Sequence, residues 1–532
     1  MIKISIKTYH IMHRNIILNS VLLFSLLLLL PVSRTYSCFA VIVGREASSD
    51  GSLLFGHLEQ NRGLRNLSYR YVPRIRHEEG SIITLARGGT LTQVNETYAY
   101  LWTSNPGVEF GDGYFNEWGV AVASDGCATR EDSYAELVGR GDITDGGIGM
   151  MLRRIVAQRS RTAREGVDVA TGLLDHFGYA ASGRTYIIAD ANEAWLLSVA
   201  RGKSWIAQRV PDNAVVLLPN VHIIGPEADI DDTENVIASE GLVEYAVDRG
   251  WYDPDSGEPF SFRDAFNAPA HEGSFKDIYG VDPRQWFSQS LIKGELAEIP
   301  TENQLPFAIY PEKSLGIEDV ANIFRSHGHM EGQVPDLSLS YRLGMPENGD
   351  SPHQDENRNS GQICSDPSQE LVIYQLRNWL PTAIGSVAWR TTAAPCASVL
   401  VPWYAGITDV PRPYYKHWPL DKAKDPSFYL DPPPGTFDYD PENAFDVFNG
   451  LERMADLDYS SNIELIREKW DSFEEQQFAM QQAVEKAALK LMEQDPELAA
   501  EFLTDYSGMR AMKALDIAKE MLNHLKTINW AH

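Results

Sequence analysis

The chain has 532 residues, with 46 Lys+Arg against 74 Asp+Glu and a net charge of −28. That balance argues against nucleic acid and anionic membrane surfaces as partners, because binding phosphates calls for clustered Lys and Arg. It does not signal disorder, since 43% hydrophobic and 10% aromatic residues are enough for a large core.

Residues 1–37 read as a secretory leader. Lys3, Lys7 and Arg14 make a positive start, the run 16–32 is apolar, and Thr35-Tyr36-Ser37 puts small residues at the first and third positions ahead of Cys38. Two other readings stay open. One is a retained anchor, whose apolar run would be near the lower limit for crossing a bilayer. The other is a lipoprotein site acylated at Cys38, although Thr35 stands where an aliphatic residue is usual. The leader holds four basic residues, Arg34 included, and no acid, so its removal takes the net charge from −28 to −32. The expectation is an exported protein, secreted or periplasmic, with no stable membrane insertion.

From Cys38 to about Ile224 the pattern is mainly strands and turns. Apolar runs at 39–44 and 52–57 flank the turn signal Asp50-Gly51 and predict a hairpin. Further buried strands are predicted at 119–123, 185–189, 194–199 and 214–218, with helices at 148–160 and 163–176 from apolar residues at three- and four-residue intervals. The middle, 225–360, mixes helices with polar stretches and ends in a surface loop at 343–361. Strands return at 370–376 and 384–388, residues 411–434 are irregular, and 440–530 is helical and amphipathic. The resulting domain plan is a leader (1–37), a main domain (38–435) and a C-terminal helical segment packed on it (436–532).

Cys38 would become the amino terminus when the leader is cut. Its own α-amine, with an ordinary pKa around 8, would then lie beside the thiol and could take its proton and later pass one to a leaving amine. The bland reading is an ordinary residue just past a leader. The other cysteines, Cys127, Cys364 and Cys396, are too few for a disulfide scaffold. If Cys38 stays free they cannot all pair, and Cys364 with Cys396 is the expected pair, although sequence does not fix connectivity.

The run Cys38-Phe-Ala-Val-Ile-Val-Gly44, followed by Ala47-Ser48-Ser49-Asp50-Gly51-Ser52 and Gly56-His57, resembles the opening of the secreted dipeptidases of the N-terminal nucleophile class. These are relatives of the secernins, bile-salt hydrolases and penicillin V acylases. The resemblance continues through Asn116-Glu117-Trp118-Gly119-Val120-Ala121, Ala189-Asp190-Ala191-Asn192-Glu193-Ala194-Trp195, Pro219-Asn220 and Asp282-Pro283-Arg284-Gln285-Trp286. It ends with Gln375-Leu376-Arg377-Asn378-Trp379-Leu380-Pro381 and Val401-Pro402-Trp403-Tyr404-Ala405-Gly406. It implies an α+β fold, a four-layer αββα sandwich with the mature terminus at a strand end in the cleft.

The same resemblance implies roles. Asn116 and Asn220 stand where relatives hold the oxyanion or the terminal amine, and turn positions are the alternative for both. Arg284 resembles an arginine beside the nucleophile, whose charge would favour a thiolate, with a surface ion pair as the alternative. His57 fits the family's Arg or His, or is a half-buried structural histidine. Three residues later the usual acid is replaced by Gln60, with Glu59 one residue early.

No cofactor or metal is expected: His327-Gly328-His329 lacks matching Asp, Glu or Cys spacing. Gly146-Gly147-x-Gly149 lacks the lysine of a phosphate loop. The function expected is a cysteine dipeptidase working on short peptides through an acyl-enzyme on Cys38. An acylase of bile-salt or penicillin V type and an inactive exported binding protein are the alternatives. The oligomeric state is left open, a homo-oligomer included.

Overall fold

The predicted hairpin forms, as β1 (Phe39–Val43) and β2 (Leu53–Gln60), in a computed structural model that describes residues 38–61, 68–108, 111–295, 305–328, 351–353, 361–415 and 431–530. The predicted leader 1–37 and most of the predicted loop 343–361 lie outside the described residues. Asp50 closes the hairpin by accepting from the backbone N–H and the hydroxyl of Ser52. Both strands are buried along their whole length. Strands covered on two faces read as continuous apolar runs rather than alternating ones, and this explains the unbroken pattern of 39–44.

The chain continues through β3 (Ser68–Val72) and four short strands, β4 (Ile75–Arg76), β5 (Ile82–Thr84), β6 (Thr90–Thr92) and β7 (Glu96–Thr97). Then come β8 (Tyr100–Ser104), β9 (Gly111–Asn116), β10 (Ala121–Gly126), β11 (Arg184–Ala189), β12 (Ala194–Val199), β13 (Trp205–Arg209), β14 (Val215–Leu218) and β15 (Val236–Ala238). The last three strands are β16 (Ser368–Leu376), β17 (Ser386–Arg390) and β18 (Val401–Tyr404). One sheet has the order β14-β1-β2-β16-β17-β18 and the other β15-β13-β12-β11-β10-β9-β8-β3. Every pairing within the two sheets is antiparallel.

The eight-stranded sheet packs one face on the helices Leu152–Arg159 and Ala163–Phe177, where Tyr114, Val122, Ile188 and Leu197 meet Ile155, Val167 and Leu174. Its other face, with Phe115, Ala121, Ala123 and Leu196, joins the six-stranded sheet in the main core. The outer face of the six-stranded sheet is covered by Ile317–Phe324 and by the C-terminal helices Ala444–Ala455, Tyr459–Met492 and Pro496–Trp530. The fold is thus α+β in four layers, helices, sheet, sheet, helices. No helix among the described residues is long and apolar enough to cross a membrane.

Local differences from the sequence reading have physical causes. The helix predicted at 148–160 begins at Leu152, because Ile148 instead exchanges backbone hydrogen bonds with Gly178 and Ala180. The strand predicted at 384–388 shifts to β17, since Pro381 starts a helical turn at Thr382–Gly385. The helical stretch 440–530 is broken around 456–458 and 493–495, the second break set by Pro496 at the start of the last helix.

Gly56 shows how closely the outer helix is seated. A Cβ there would lie 2.4 Å from the Phe324 ring and 3.1 Å from Val320 Cγ1. Gly56→Ala is expected to cost about 1–3 kcal/mol through overpacking, read as a lower urea midpoint with an unchanged slope.

Candidate active site

Cys38 lies just ahead of β1, and strand register decides which way it faces. Ala40 pairs with His57, and side chains alternate along a strand, so Cys38 shares a face with Ala40 and His57. Phe39, on the opposite face, packs edge-on against Phe324. Cys38 is 2% exposed. Its Sγ, a ring nitrogen of His57 and a carboxylate oxygen of Glu59 all lie within 4.8 Å of one another. The thiol points at the Gln60 carbonyl, 3.9 Å away.

Facing strands complete the cluster. His57 Nε2 donates to Asp125 Oδ1 on β10 at 2.7 Å, and its Nδ1 is 3.4 Å from Asp112 Oδ1 on β9. Burial first, then the charge of Asp112, pushes the Glu59 carboxyl well up, and burial pushes Asp112 up as well. Two buried carboxyls side by side cannot both ionise cheaply, so this pair holds a proton. Arg153 supplies the countercharge while donating to the carbonyls of Gly111, Asp112 and Ser124 and to the Ser124 hydroxyl. Burial above all, then Glu59, Asp125 and Asp112, pushes the Cys38 thiol well above its ordinary range.

Arg284 reaches the site from the first turn of the helix Pro283–Lys293, where Asp282 is the N-cap. Its Nη1 donates to the Cys38 carbonyl at 3.1 Å, and its Nη2 donates to Asn220 Oδ1 at 3.0 Å. Asp282 braces the guanidinium from behind at 3.3 Å. Asn220, just after β14, donates from Nδ2 to the Gly126 carbonyl at the end of β10. Cys38, Arg284, Asn220 and the end of β10 are thereby tied in one chain of contacts. A cleft of about 280 Å³ is lined by their neighbours Val221 and Asp282, with His222, Arg130 and Lys276 among others, while Cys38, Arg284 and Asn220 themselves do not line it. That volume is near the small end of ligand sites, on the order of 300–1,000 Å³.

Across residues 37–433 the sequence matches Peptidase family C69. The chain belongs to this family. It is 26% identical to the probable dipeptidase of Latilactobacillus sakei, over 71% of this chain and 76% of that one. It is 27% identical to the dipeptidase of Bifidobacterium longum, over 70% of this chain and 72% of that one. The crystal structure of a mutant conjugated bile acid hydrolase from Clostridium perfringens aligns with 67% of this chain and 89% of its own at 10% identity, with a TM-score of 0.28. As a C69 peptidase the protein is a hydrolase, and its family match stops short of the C-terminal helices that complete the core.

The remaining residues expected in the C69 site divide clearly. Asn116, at the end of β9, donates to the carbonyls of Ala157 and Ser160 and accepts from the N–H groups of Trp118 and Val120. Both of its donors are used inside the β9–β10 turn and its helix contact. The structure does not bring it into the Cys38 cluster. Gln60 explains its own departure from the family pattern: its amide donates to the Ile363 carbonyl and to the hydroxyls of Ser365 and Ser368. A carboxylate would face that carbonyl unfavourably, whereas an amide satisfies it. Asp112, Asp125, Arg153 and Arg184, whose Nη1 donates to the Ser124 carbonyl and hydroxyl, were not among the expected residues. The available signal was a set of charged or polar groups inside otherwise buried strand and helix segments, Gly111-Asp112-Gly113 and Ser124-Asp125-Gly126 in particular.

Proposed function

We propose that this C69 peptidase is an exported cysteine dipeptidase, activated when removal of residues 1–37 frees the α-amine of Cys38. The reading is carried by one observation: Cys38 lies at the first strand's start, its side chain in the charged cluster and its carbonyl held by Arg284. The dipeptidase names of relatives such as those of Latilactobacillus sakei and Bifidobacterium longum support the substrate class. The small cleft beyond Val221 and Asp282 is lined by both signs of charge, Arg130 and Lys276 with Asp264 and Asp277, which suits the two charged ends of a short peptide.

The chemistry follows from the groups present. The α-amine takes the thiol proton as Sγ attacks the peptide carbonyl carbon, forming a tetrahedral oxyanion. Asn220 has one amide hydrogen on Gly126 O and offers the other to that oxygen. The C–N bond breaks as the ammonium returns its proton to the leaving amine. Water, deprotonated by the same amine, then hydrolyses the thioester and restores the thiol.

A panel of dipeptides, longer peptides, conjugated bile salts and penicillin V tests the substrate class on the processed protein. Turnover of dipeptides above the rest is expected. Hydrolysis of only the bile salts or penicillin V would move the assignment to an acylase. Inertness toward all of them, with Cys38 labelled no faster than a thiol in an unfolded peptide, would make it a binding protein.

A further inference from the structure

A second cluster of donors lies away from Cys38, on the side of the six-stranded sheet covered by the C-terminal helices. His327 follows the helix Ile317–Phe324, His353 comes from residues 351–353, and Cys364 and Cys396 come from the loops before β16 and β18. All four side chains are buried, and their donor atoms lie within 4.8 Å of one another. His327 Nε2 and His353 Nε2 are 3.1 Å apart, and His353 Nε2 is 3.7 Å from Cys364 Sγ and 3.3 Å from Cys396 Sγ. A tetrahedral ion with Zn–S of about 2.3 Å and Zn–N of about 2.0–2.1 Å has ligand–ligand edges of roughly 3.3–3.8 Å. The spacings already approach those edges.

We propose that His327, His353, Cys364 and Cys396 form a buried, closed tetrahedral site for a divalent cation of the zinc type, with Asp456 positioning His353. The donor set is the soft sulfur and borderline nitrogen pair that selects such ions. Two thiolates and two neutral imidazoles around a divalent ion sum to zero charge, so the assembly can sit in a dry core without an uncompensated charge. On binding, each thiol gives up one proton to solvent and two S–metal and two N–metal bonds form, with no redox change.

The surroundings are built to hold this geometry. Asp456 Oδ1 accepts from His353 Nδ1 at 2.9 Å and is itself held by the Ser351 hydroxyl at 2.7 Å, which leaves Nε2 as the ligand atom. The Tyr459 ring packs edge-on against both imidazoles. The N–H of Cys364 donates to the Ser326 carbonyl, and Arg467 donates to the carbonyls of Cys396 and Ser398. No open coordination position remains in a set of four protein ligands, so the ion's part is structural, joining four irregular segments that have little regular backbone pairing of their own.

The test uses the full processed enzyme, purified from zinc-supplemented culture and dialysed free of loose metal. One zinc per chain is expected, with X-ray absorption showing two sulfurs at about 2.3 Å and two nitrogens at about 2.0 Å. Asp456→Asn should still fill at saturating zinc but bind it about 10–100-fold more weakly. Cys364→Ser and Cys396→Ser should lose the metal; because a misfolded variant would lose it too, the wild-type measurements decide. Two results would overturn the site: wild-type protein that takes up neither Zn²⁺ nor Co²⁺ while both thiols are freely alkylated, or a native disulfide-linked peptide joining Cys364 to Cys396.

Discussion

Hydrolysis by Cys38→Ala is expected to fall to background, a loss on the order of 10⁶-fold by analogy with removal of a catalytic nucleophile. The same loss is expected for a chain that keeps Ser37 ahead of Cys38. In the first case the nucleophile is gone; in the second the base is gone, since an amide nitrogen does not accept the thiol proton. Neither change removes the core, because β1 and β2 are held by apolar side chains on both faces. Circular dichroism should therefore show native folding in both. Cys38→Ser should keep at most weak activity, its hydroxyl being the poorer nucleophile at neutral pH. The wild-type rate should rise with pH through one ionisation. The amine works only when neutral, so the rise belongs to its ionisation, whose ordinary value is near 8. An intact mass beginning at Cys38, without acylation, accompanies this result. Full activity in protein whose terminus is one residue to either side would rule the mechanism out.

Asn220→Ala is expected to lower kcat by about 10²–10³-fold, the usual effect of deleting one oxyanion donor. Asn220→Asp keeps an oxygen for Arg284 but replaces the N–H donor with a charged oxygen facing the Gly126 carbonyl and the oxyanion, so its loss should be at least as large. A kcat deficit in both, with KM little changed, is the pattern of an interaction made in the transition state. Asn116→Ala should behave in the opposite way. It strips the β9–β10 turn of the four hydrogen bonds that the amide makes, so stability should drop by about 1–3 kcal/mol while kcat of the folded enzyme holds. Equal kcat losses at Asn116 and Asn220 would contradict this division of labour.

The sandwich was legible where burial leaves a local trace. The β1–β2 hairpin, β11, β12 and β14 came from apolar runs bounded by turn residues, and Ala163–Phe177 from its three- and four-residue spacing; the structure adds Thr162 as its cap. Strands such as β3 and β9 carried no such trace. Ser68–Val72 has Arg70 and two tyrosines, and Gly111–Asn116 begins Gly-Asp-Gly, so their pairing partners rather than their own propensity make them strands.

Features written locally could be read from residue order alone: the expected leader pattern, the position of Cys38 behind it, the family motifs and the acidic, well-cored composition. Which polar residues meet depends on the folded chain. It set Asn220 and Arg284 beside Cys38, and it enclosed Asn116 in a turn. It also gathered Glu59, Asp112 and Asp125 in a buried cluster around the thiol, where burial and their charges push its ionisation up. His327 looked isolated because it and His329, which lies outside the described residues, have no Asp, Glu or Cys at a matching spacing. Folding brings it His353, Cys364 and Cys396 from other segments instead. A donor atom acts through distances of a few ångströms, and long-range strand pairing and helix packing, not spacing along the chain, set those distances.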